Sequence, residues 1–233
     1  MGSSRLPAKV MLPLIGEPIL TRVMRRTGRA ETLDEVVVAT TTLPEDDAIV
    51  SLALAEGWPV DRGSETDLLG RYLGAARAHD AEVVVRITSD CPLIDPDVID
   101  RVVAAFRAAN VDYASNTLEP RTYPNGLDIE VIRREALERA GREDDDPAWR
   151  EHATPYIYRH PELFRLLRVS AEDGGHPEQR WSVDTPEDYE LVRRIYDALG
   201  RDDFTWLEAF SVVDAHPDWA AINRDVLQKT VPP

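Results

Sequence analysis

The sequence predicts an α/β fold: a doubly wound, mostly parallel sheet of the Rossmann-like kind, with helices on both faces. Two continuous β-branched runs, Val36–Val38 and Val83–Ile87, are typical of strands that are buried on both faces of a parallel sheet. Amphipathic stretches of helical length follow them, and strands that alternate with such helices favour right-handed βαβ units. The length of 233 residues allows one large α/β domain or two small ones.

Helices are predicted where apolar residues recur at helical spacing and where capping residues mark the ends. They cover residues 18–28, 44–56, 66–79, 148–159 with a break around Pro155, and two stretches that begin at Pro96 and Pro186. Asp95 is the predicted cap of the first of these two, and Thr185 with Asp188 forms a predicted capping box for the second. Further strands are predicted at 59–61, 112–116, 127–131, which alternates as a half-exposed strand does, and 162–170.

The composition argues against some classes of binding partner. A net charge of −16 argues against broad binding to nucleic acid or to an anionic membrane, although a local basic pocket stays compatible with it. The one cysteine, Cys91, allows no intrachain disulfide, which fits a reducing cytosol, and we expect a cytoplasmic protein. No apolar run approaches the roughly 20 residues of a membrane span.

The opening stretch MGSSRLPAK, residues 1–9, combines small and hydroxylated residues with two cations. Small residues let the backbone approach a bulky anion, hydroxyls donate to phosphate oxygens, and Arg5 and Lys9 neutralise charge. This pattern predicts a triphosphate cradle. A terminus rich in Gly and Ser is, taken alone, more often disordered.

Two aspartates stand at predicted strand ends, Asp90 after the run at 83–87 and Asp184 before the helix that begins at Pro186. Ligands in doubly wound sheets lie beyond the carboxyl ends of the strands, so the two carboxylates are expected to converge there and share one cation. Mg²⁺ suits such a pair, because it takes few protein ligands and fills its other positions with water and phosphate oxygens. The alternatives are a helix N-terminus for Asp184 and turn chemistry for Asp90.

Six blocks together resemble the sugar-acid cytidylyltransferases, the family that makes CMP-activated KDO and sialic acids, and among them the spore-coat polysaccharide branch. The blocks are Met1–Lys9, Arg62–Tyr72, Arg86–Pro96, Tyr123–Glu130, Arg150–Pro155 and Trp181–Asp188. The resemblance runs from residue 1 to about residue 200. It implies a nucleotide-diphospho-sugar transferase fold, with a nucleotide-binding domain at 1–200, a mixed sugar-side insertion at 116–172 and a helical tail at 201–233.

The resemblance also implies roles for particular residues. The residues implied to bind the triphosphate are Ser3, Ser4, Arg5 and Lys9. Arg62 and Ser64 are implied to lie near the nucleotide. Mg²⁺ is held by Asp90 and Asp184, which with Lys9 are the implied catalytic residues. The residues implied to face the sugar are Asn125, Asp128, Glu130 and His152. For His152, the alternative is a structural role as a hydrogen-bonded side chain. The implied reaction is attack of a sugar or sugar-acid oxygen on the α-phosphate of CTP, with release of pyrophosphate for surface polysaccharide or glycoconjugate synthesis.

Two other classes remain open at this stage. One is a glycosyltransferase of a similar fold, which would hold its metal with Asp-x-Asp; the string Asp95–Asp97 matches it, but these residues fit a helix start better. The other is an inactive nucleotide-binding homologue. The sequence names neither the sugar nor the oligomeric state, and a homodimer is one assembly to be tested.

A further expectation concerns the centre of the sheet. The first strand of a doubly wound sheet is normally central, between the strands predicted here at 36–40 and 83–88. No apolar run precedes residue 1, so we expect a shortened chain or a weakly held segment 1–9.

Overall fold

The computed structural model describes residues 1–3, 5–172 and 174–228. The strands are β1 (Pro13–Leu14), β2 (Glu17–Pro18), β3 (Val38–Thr41), β4 (Val60–Gly63), β5 (Val83–Arg86), β6 (Tyr113–Ser115), β7 (Glu130–Arg133) and β8 (Leu166–Arg168). The α-helices are α1 (Ile19–Thr27), α2 (Asp47–Ala55), α3 (Leu68–Ala78), α4 (Pro96–Ala109), α5 (Arg134–Glu143), α6 (Pro147–Arg150), α7 (Pro155–Arg159), α8 (Pro186–Leu199) and α9 (Trp206–Asp214). Short 3₁₀ helices cover Lys9–Met11, Pro44–Asp46 and Trp219–Ala221.

The strands form an α/β fold with a mixed sheet. The main sheet has the order β5-β7-β6-β8, in which β7 runs against the other three strands. A second sheet pairs β3 with β4 in parallel, and β1 and β2 form a small hairpin. The α/β class predicted from the sequence is confirmed, but β3 and β5 do not pair with each other.

Two apolar layers cover the main sheet, one on each face. Side chains of β7 alternate between them, since Val131 belongs to the layer with α1, α4 and α8, and Ile132 to the layer with α3 and α5. Both residues are buried, so the alternation at 127–131 does not mark a half-exposed strand. Because β5 and β6 flank β7 on both sides, the strand is central and its polar residue Glu130 is buried too.

Capping residues start the helices as the sequence predicts. Asp95 accepts hydrogen bonds from the N–H groups of Asp97 and Val98 at the start of α4. Thr185 and Asp188 form the capping box of α8. The helix predicted at 148–159 is two short helices, α6 and α7, with four non-helical residues between them. Within the described residues, no helix is both long and apolar enough to cross a membrane.

A buried guanidinium connects distant parts of the chain. Arg26 of α1 is fully buried and donates to the carbonyl oxygen of Ile94 at 2.6 Å and of Phe204 at 2.8 Å. It also donates to the carbonyl oxygen of Asp202 and lies over the Phe204 ring. The segment before α9 is therefore part of the main core.

A histidine links the beginning of the β3–β4 sheet to α3. The two ring nitrogens of His79 lie 2.8 Å from a carboxylate oxygen of Glu35 and 2.7 Å from one of Asp61. Burial alone would lower the pKa of His79, but these two carboxylates raise it above its ordinary value.

This arrangement predicts a pH-dependent stability. A raised pKa in the folded state means that the His79 contribution is fully present below about pH 6.5 and is lost as the pH rises through the folded pKa. We expect His79→Gln to cost roughly 0.5–1 kcal/mol at pH 6 and less at pH 9, because the pair is partly exposed. Urea titrations at both pH values test this, with His216→Gln, an exposed histidine, as the control. An equal loss for His79→Gln at the two pH values contradicts it.

Candidate active site

One ammonium group bridges the two predicted carboxylates. Lys9 Nζ lies 2.7 Å from Asp90 Oδ2 and 2.8 Å from Asp184 Oδ1. All three side chains are mostly buried, with 14% of Lys9 and 15% of Asp184 exposed. The expected convergence of Asp90 and Asp184 is thus confirmed, since both reach the same cation.

The backbone holds the two carboxylates together. Asp90 lies in the loop that follows β5, and the N–H of Val183 donates to the carbonyl oxygen of Asp90 at 2.8 Å. Asp184 is the next residue along the chain, directly before the capping residue of α8. Val183 makes this backbone hydrogen bond, and the adjacent Asp184 carries the second carboxylate. The bond therefore holds the loop of Asp184 beside the loop of Asp90.

A second ion pair fixes Asp184 from the other side. Arg180 donates to Asp184 Oδ2 at 2.9 Å and to Asp188 Oδ1 at 2.8 Å. Asp188 is fully buried and accepts the N–H groups of Asp184 and Thr185, each at 3.0 Å. Arg5 adds a third cation, 3.1 Å from Asp184 Oδ2.

The charges of this cluster shift the pKa values of its members. Burial alone would lower the pKa of Lys9, but the pairs with Asp90 and Asp184 raise it above the ordinary value. Burial would raise the pKa of Asp184, but Lys9, Arg5 and Arg180 hold it below the ordinary value. Lys9 is therefore protonated and Asp184 ionised at neutral pH.

The donor set fits a divalent cation with few protein ligands. Asp90 and Asp184 are both ionic partners of the Lys9 ammonium group, so their oxygens face a common centre of positive charge. Within the described ranges, no cluster of three or more His, Cys, Asp or Glu side chains could hold a metal. A site of two carboxylates is typical of Mg²⁺, which keeps water and phosphate oxygens in its other positions.

The residues expected near the nucleotide are arranged in two groups. Arg5 and Lys9 reach the carboxylates, and the Ser3 hydroxyl accepts the N–H of Leu6 at 3.3 Å. Ser4 lies outside the described residues. Arg62 lies in β4, where it donates to the carbonyl oxygens of Thr41 and Leu43, both at 2.8 Å.

The loop after β4 approaches the amino-terminal stretch. The Ser64 hydroxyl accepts the N–H of Asp67 at 3.1 Å and so shapes the start of α3. A Cβ placed on Gly2 would lie 3.5 Å from Glu65 Oε1, so this loop and residues 1–3 are neighbours. Among the described residues, no hydrogen bond or ion pair joins Arg62 or Ser64 directly to Lys9, Asp90 or Asp184.

The residues expected at the sugar also form two groups. Asn125 exchanges backbone hydrogen bonds with Gln179 and Trp181, which places it beside Arg180. Asp128 pairs with Arg121 and accepts the N–H of Gly126 at 3.1 Å.

Glu130 belongs to a separate buried group. It pairs with Arg86 and accepts hydroxyls from Tyr113 at 2.5 Å and Thr154 at 2.7 Å. His152 lies near Arg86, and burial lowers its pKa, an effect that Glu151 opposes and Arg86 increases. Its ring is therefore neutral at pH 7. Glu130 orients Arg86, which is the more exposed member of their pair.

Several contacts that support these side chains are not evident from the sequence alone. Arg180 and Asp188 support Asp184, and Arg86 is the cation held by Glu130. Arg180 stands four residues before Asp184 and eight before Asp188, a spacing that could have suggested a shared pairing. No local spacing points to Arg86 and Glu130, which meet only because β5 pairs with β7.

Gly126 fixes the approach of two loops at this site. Its φ is +104°, and a Cβ there would lie 2.6 Å from both the Ser182 nitrogen and the Trp181 carbonyl carbon. We expect Gly126→Ala to destabilise the fold by about 2 kcal/mol or more, and to lower activity by moving Asp184.

Gly57→Ala is the matched control, because Gly57 has a φ of +74° but open space around it. It isolates the cost of a positive φ from the cost of the steric clash. Thermal melts and turnover of both variants test the prediction, and equal losses of stability would show that the clash is relieved by a shift of the backbone.

Comparisons with known proteins show the family and the fold of this chain. A family model described as Cytidylyltransferase matches residues 1–207. The spore coat polysaccharide biosynthesis protein SpsF of Bacillus subtilis (strain 168) is 31% identical over 236 residues, which cover 97% of this chain and 95% of SpsF. The structure of a cytidylyltransferase from Leptospira borgpetersenii matches with a TM-score of 0.90 and 31% identity, over 99% of this chain and 95% of that one.

A more distant structure shares the fold. It is the CMP:2-keto-3-deoxy-manno-octonic acid synthetase complexed with CTP, with a TM-score of 0.64 and 20% identity over 85% of this chain and 95% of that one. The architecture is thus that of the α/β nucleotidyltransferases. On the family match and the identity to SpsF, this chain belongs to the cytidylyltransferase family.

Proposed function

We propose that the protein transfers CMP from CTP to a sugar or sugar acid and releases pyrophosphate. The observation that carries this proposal is the convergence of Asp90 and Asp184 on one cation, with Arg5 beside it. Two carboxylates with adjacent cations suit a site where a polyphosphate and its counter-ion must both be held. Membership of the cytidylyltransferase family supports CTP as the nucleotide.

The cations would bind and orient the triphosphate. Arg5 and Lys9 stand on the amino-terminal stretch, so they can turn from the carboxylates to phosphate oxygens. Asp90 and Asp184 would hold Mg²⁺, which supplies charge neutralisation at the phosphates as pyrophosphate leaves. Arg180 would keep Asp184 ionised and in place while Lys9 changes partners, because its own bonds run to Asp184 and the buried Asp188.

The acceptor side would be formed by the residues around β7. Asn125 and Asp128 offer an amide and a carboxylate that suit sugar hydroxyls, and Arg86, held by Glu130, offers a cation for an acidic group. His152 would contribute as a neutral ring. No covalent intermediate is needed, since orientation and charge neutralisation carry most of the catalysis in this kind of transfer.

The SpsF relative supports a place in surface polysaccharide or glycoconjugate synthesis, with a spore coat as one such setting. Such a role fits a cytoplasmic enzyme that supplies an activated sugar.

The test is pyrophosphate release with CTP, ATP, GTP or UTP, each with Mg²⁺ and a library of sugars and sugar acids. We expect release to be fastest with CTP, and mass spectrometry to identify a CMP-sugar. Faster release with another nucleotide across the same sugars would contradict the choice of CTP. CTP binding without turnover on every acceptor would instead favour an inactive nucleotide-binding homologue.

A further inference from the structure

The segment that follows the 3₁₀ helix at Trp219–Ala221 runs across the candidate active site. Its first part is held in the core, because Ile222 packs against the apolar layer of α1, α4 and α8, and Asn223 is only 5% exposed. The residues that come next, 224–228, lie at the surface, where Leu227 is 85% exposed. We call residues 224–228 the arm and Asn223 its anchor.

The anchor is bonded to residues that support Asp184. Asn223 Nδ2 donates to the carbonyl oxygen of Arg180 at 2.8 Å and to Asp188 Oδ1 at 2.9 Å. Asn223 and Asp188 are both buried. The N–H of Val226 donates to the carbonyl oxygen of Asn223 at 3.1 Å, so a tight turn leads into the arm. The arm therefore leaves the core at a fixed point beside Arg180.

The tip of the arm reaches side chains on both sides of the candidate active site. Gln228 Oε1 accepts a hydrogen bond from Asn125 Nδ2 at 3.0 Å and another from Nη1 of Arg180. The carbonyl oxygen of Leu227 accepts a hydrogen bond from Arg5 at 3.4 Å. The arm is therefore bonded to a side chain of the proposed acceptor side and to a cation of the amino-terminal stretch.

The two donors that meet Gln228 are held in place by other contacts. Nε and Nη2 of Arg180 bind the carboxylates of Asp184 and Asp188, and Nη1 is the nitrogen that donates to Gln228. The backbone N–H and C=O of Asn125 are both used in hydrogen bonds with the neighbouring segment, so its side-chain amide does not hold the loop. Two fixed donors that point at one oxygen form a subsite for an oxygen acceptor. This subsite adjoins Asp184, because one guanidinium group serves both.

The hold on the tip of the arm is weak. Hydrogen bonds between exposed groups exchange with bonds to water, and each contributes little net stability. Leu227 adds little apolar burial, since most of its surface is exposed. A segment with few bonds and little burial opens locally at a low free energy. A ligand with a suitable oxygen can therefore displace Gln228 from the two donors.

We propose that Asn125 and Nη1 of Arg180 form a subsite for one hydrogen-bond-accepting oxygen of the acceptor sugar, and that Gln228 fills this subsite in the free enzyme. This role rests on the proposed function, because it requires an acceptor sugar. The arm is an internal competitor: the acceptor binds only the open fraction of molecules, and its apparent affinity is reduced by that fraction. Opening also releases Arg5 from the carbonyl oxygen of Leu227, which links acceptor entry to a cation proposed for the triphosphate.

Two substitutions that break the same hydrogen bond separate the subsite from the arm. Gln228→Ala empties the subsite and keeps both donors, so we expect the KM of the acceptor to fall by about three- to tenfold. Asn125→Ala also frees the arm but removes a donor, so we expect the same KM to rise by about tenfold. The acceptor in this experiment is the sugar that turns over with CTP and Mg²⁺ in the pyrophosphate assay.

Gln179→Ala is the matched control, because Gln179 is exposed and its side chain bonds to the neighbouring Glu178. It removes the same atoms at a position outside the arm, and the KM of the acceptor should equal that of the unmodified chain. A higher KM in both Gln228→Ala and Asn125→Ala would mean that the arm helps to hold the acceptor. An unchanged KM in Gln228→Ala would mean that Gln228 does not compete. Either result overturns the proposal and leaves the transfer of CMP in place.

A nitroxide label on the arm tests the closed state without turnover. Leu227→Cys offers an exposed thiol, whereas Cys91, the one native cysteine, is buried. In the free protein we expect this label to broaden the amide NMR signal of Asn125, since the adjacent Gln228 bonds to that residue.

Gln228→Ala in the labelled chain should reduce this broadening, and Gln179→Ala should leave it unchanged. The same broadening with and without Gln228→Ala would overturn the proposal, even if no acceptor turns over. Failure of turnover on every acceptor, with an arm that closes as expected, would count against the proposed function instead.

Discussion

Asp90→Asn is expected to lower kcat by about a hundredfold to a thousandfold while the fold stays intact. The amide keeps the shape of the carboxylate but removes half of the negative charge that holds Lys9 or a divalent cation. Asp90 is 23% exposed in its side chain, and the loss of one partly exposed ion pair costs at most about 1 kcal/mol. Pyrophosphate release and a thermal melt, measured on the same preparation, separate the two effects.

Asp214→Asn is the control for Asp90→Asn. Asp214 is exposed at the end of α9 and the same atoms are exchanged there, so activity and Tm should match the unmodified chain. Full activity of Asp90→Asn would remove Asp90 from the proposed catalytic residues. A loss of activity with a matching collapse of Tm would mean that Asp90 acts through folding instead.

Asp188→Asn is expected to destabilise the protein by about 3–5 kcal/mol, or roughly 10 °C in Tm. The carboxylate is fully buried, accepts the N–H groups of Asp184 and Thr185, and pairs with Arg180. It also accepts an N–H from the buried Asn223 at 2.9 Å. Loss of its charge leaves Arg180 with one carboxylate, and the new amide group presents donors to neighbours that also donate.

Glu187→Gln is the matched control, because Glu187 precedes Asp188 in the first turn of α8 but is exposed. It should cost only a few tenths of a kcal/mol. A double-mutant cycle with Arg180→Gln then measures the coupling between Arg180 and Asp188. A loss below about 1 kcal/mol for Asp188→Asn would show that water replaces the lost bonds, and would contradict a rigid support for Asp184.

The sequence predicts the carboxylates of the site better than it predicts the residues that hold them in place. Asp90 and Asp184 are predicted because the ends of strands and the starts of helices have local sequence signatures. In this class of fold, such positions lie at the same edge of the sheet. The role of Arg180 is not predicted, because the turn before α8 separates Arg180 from its partners. The direction of its side chain follows from the packing of Trp181 and Val183 in the core.

The limits of the fold prediction have a similar physical cause. Helices α1 to α4 are predicted within a few residues, since their spacing and caps are local. Helix α5 is missed because few apolar residues mark its inner face. The strand predicted as half-exposed at 127–131 is observed as the buried β7 at Glu130–Arg133, because the neighbours of a strand are set by distant residues. The strand predicted at 36–40 is observed at Val38–Thr41, because its ladder with β4 begins at Val38.

The buried guanidinium of Arg26 bears on how the chain matures during synthesis. Its hydrogen-bond acceptors include the carbonyl oxygens of Asp202 and Phe204, which leave the ribosome long after α1 does. Until then, an α1 packed against α4 would bury the Arg26 guanidinium with the Ile94 carbonyl oxygen but without these two acceptors, and buried donors without partners are costly. Early packing of α1 is therefore disfavoured, and the nascent chain gains its final core only when the segment between α8 and α9 has emerged.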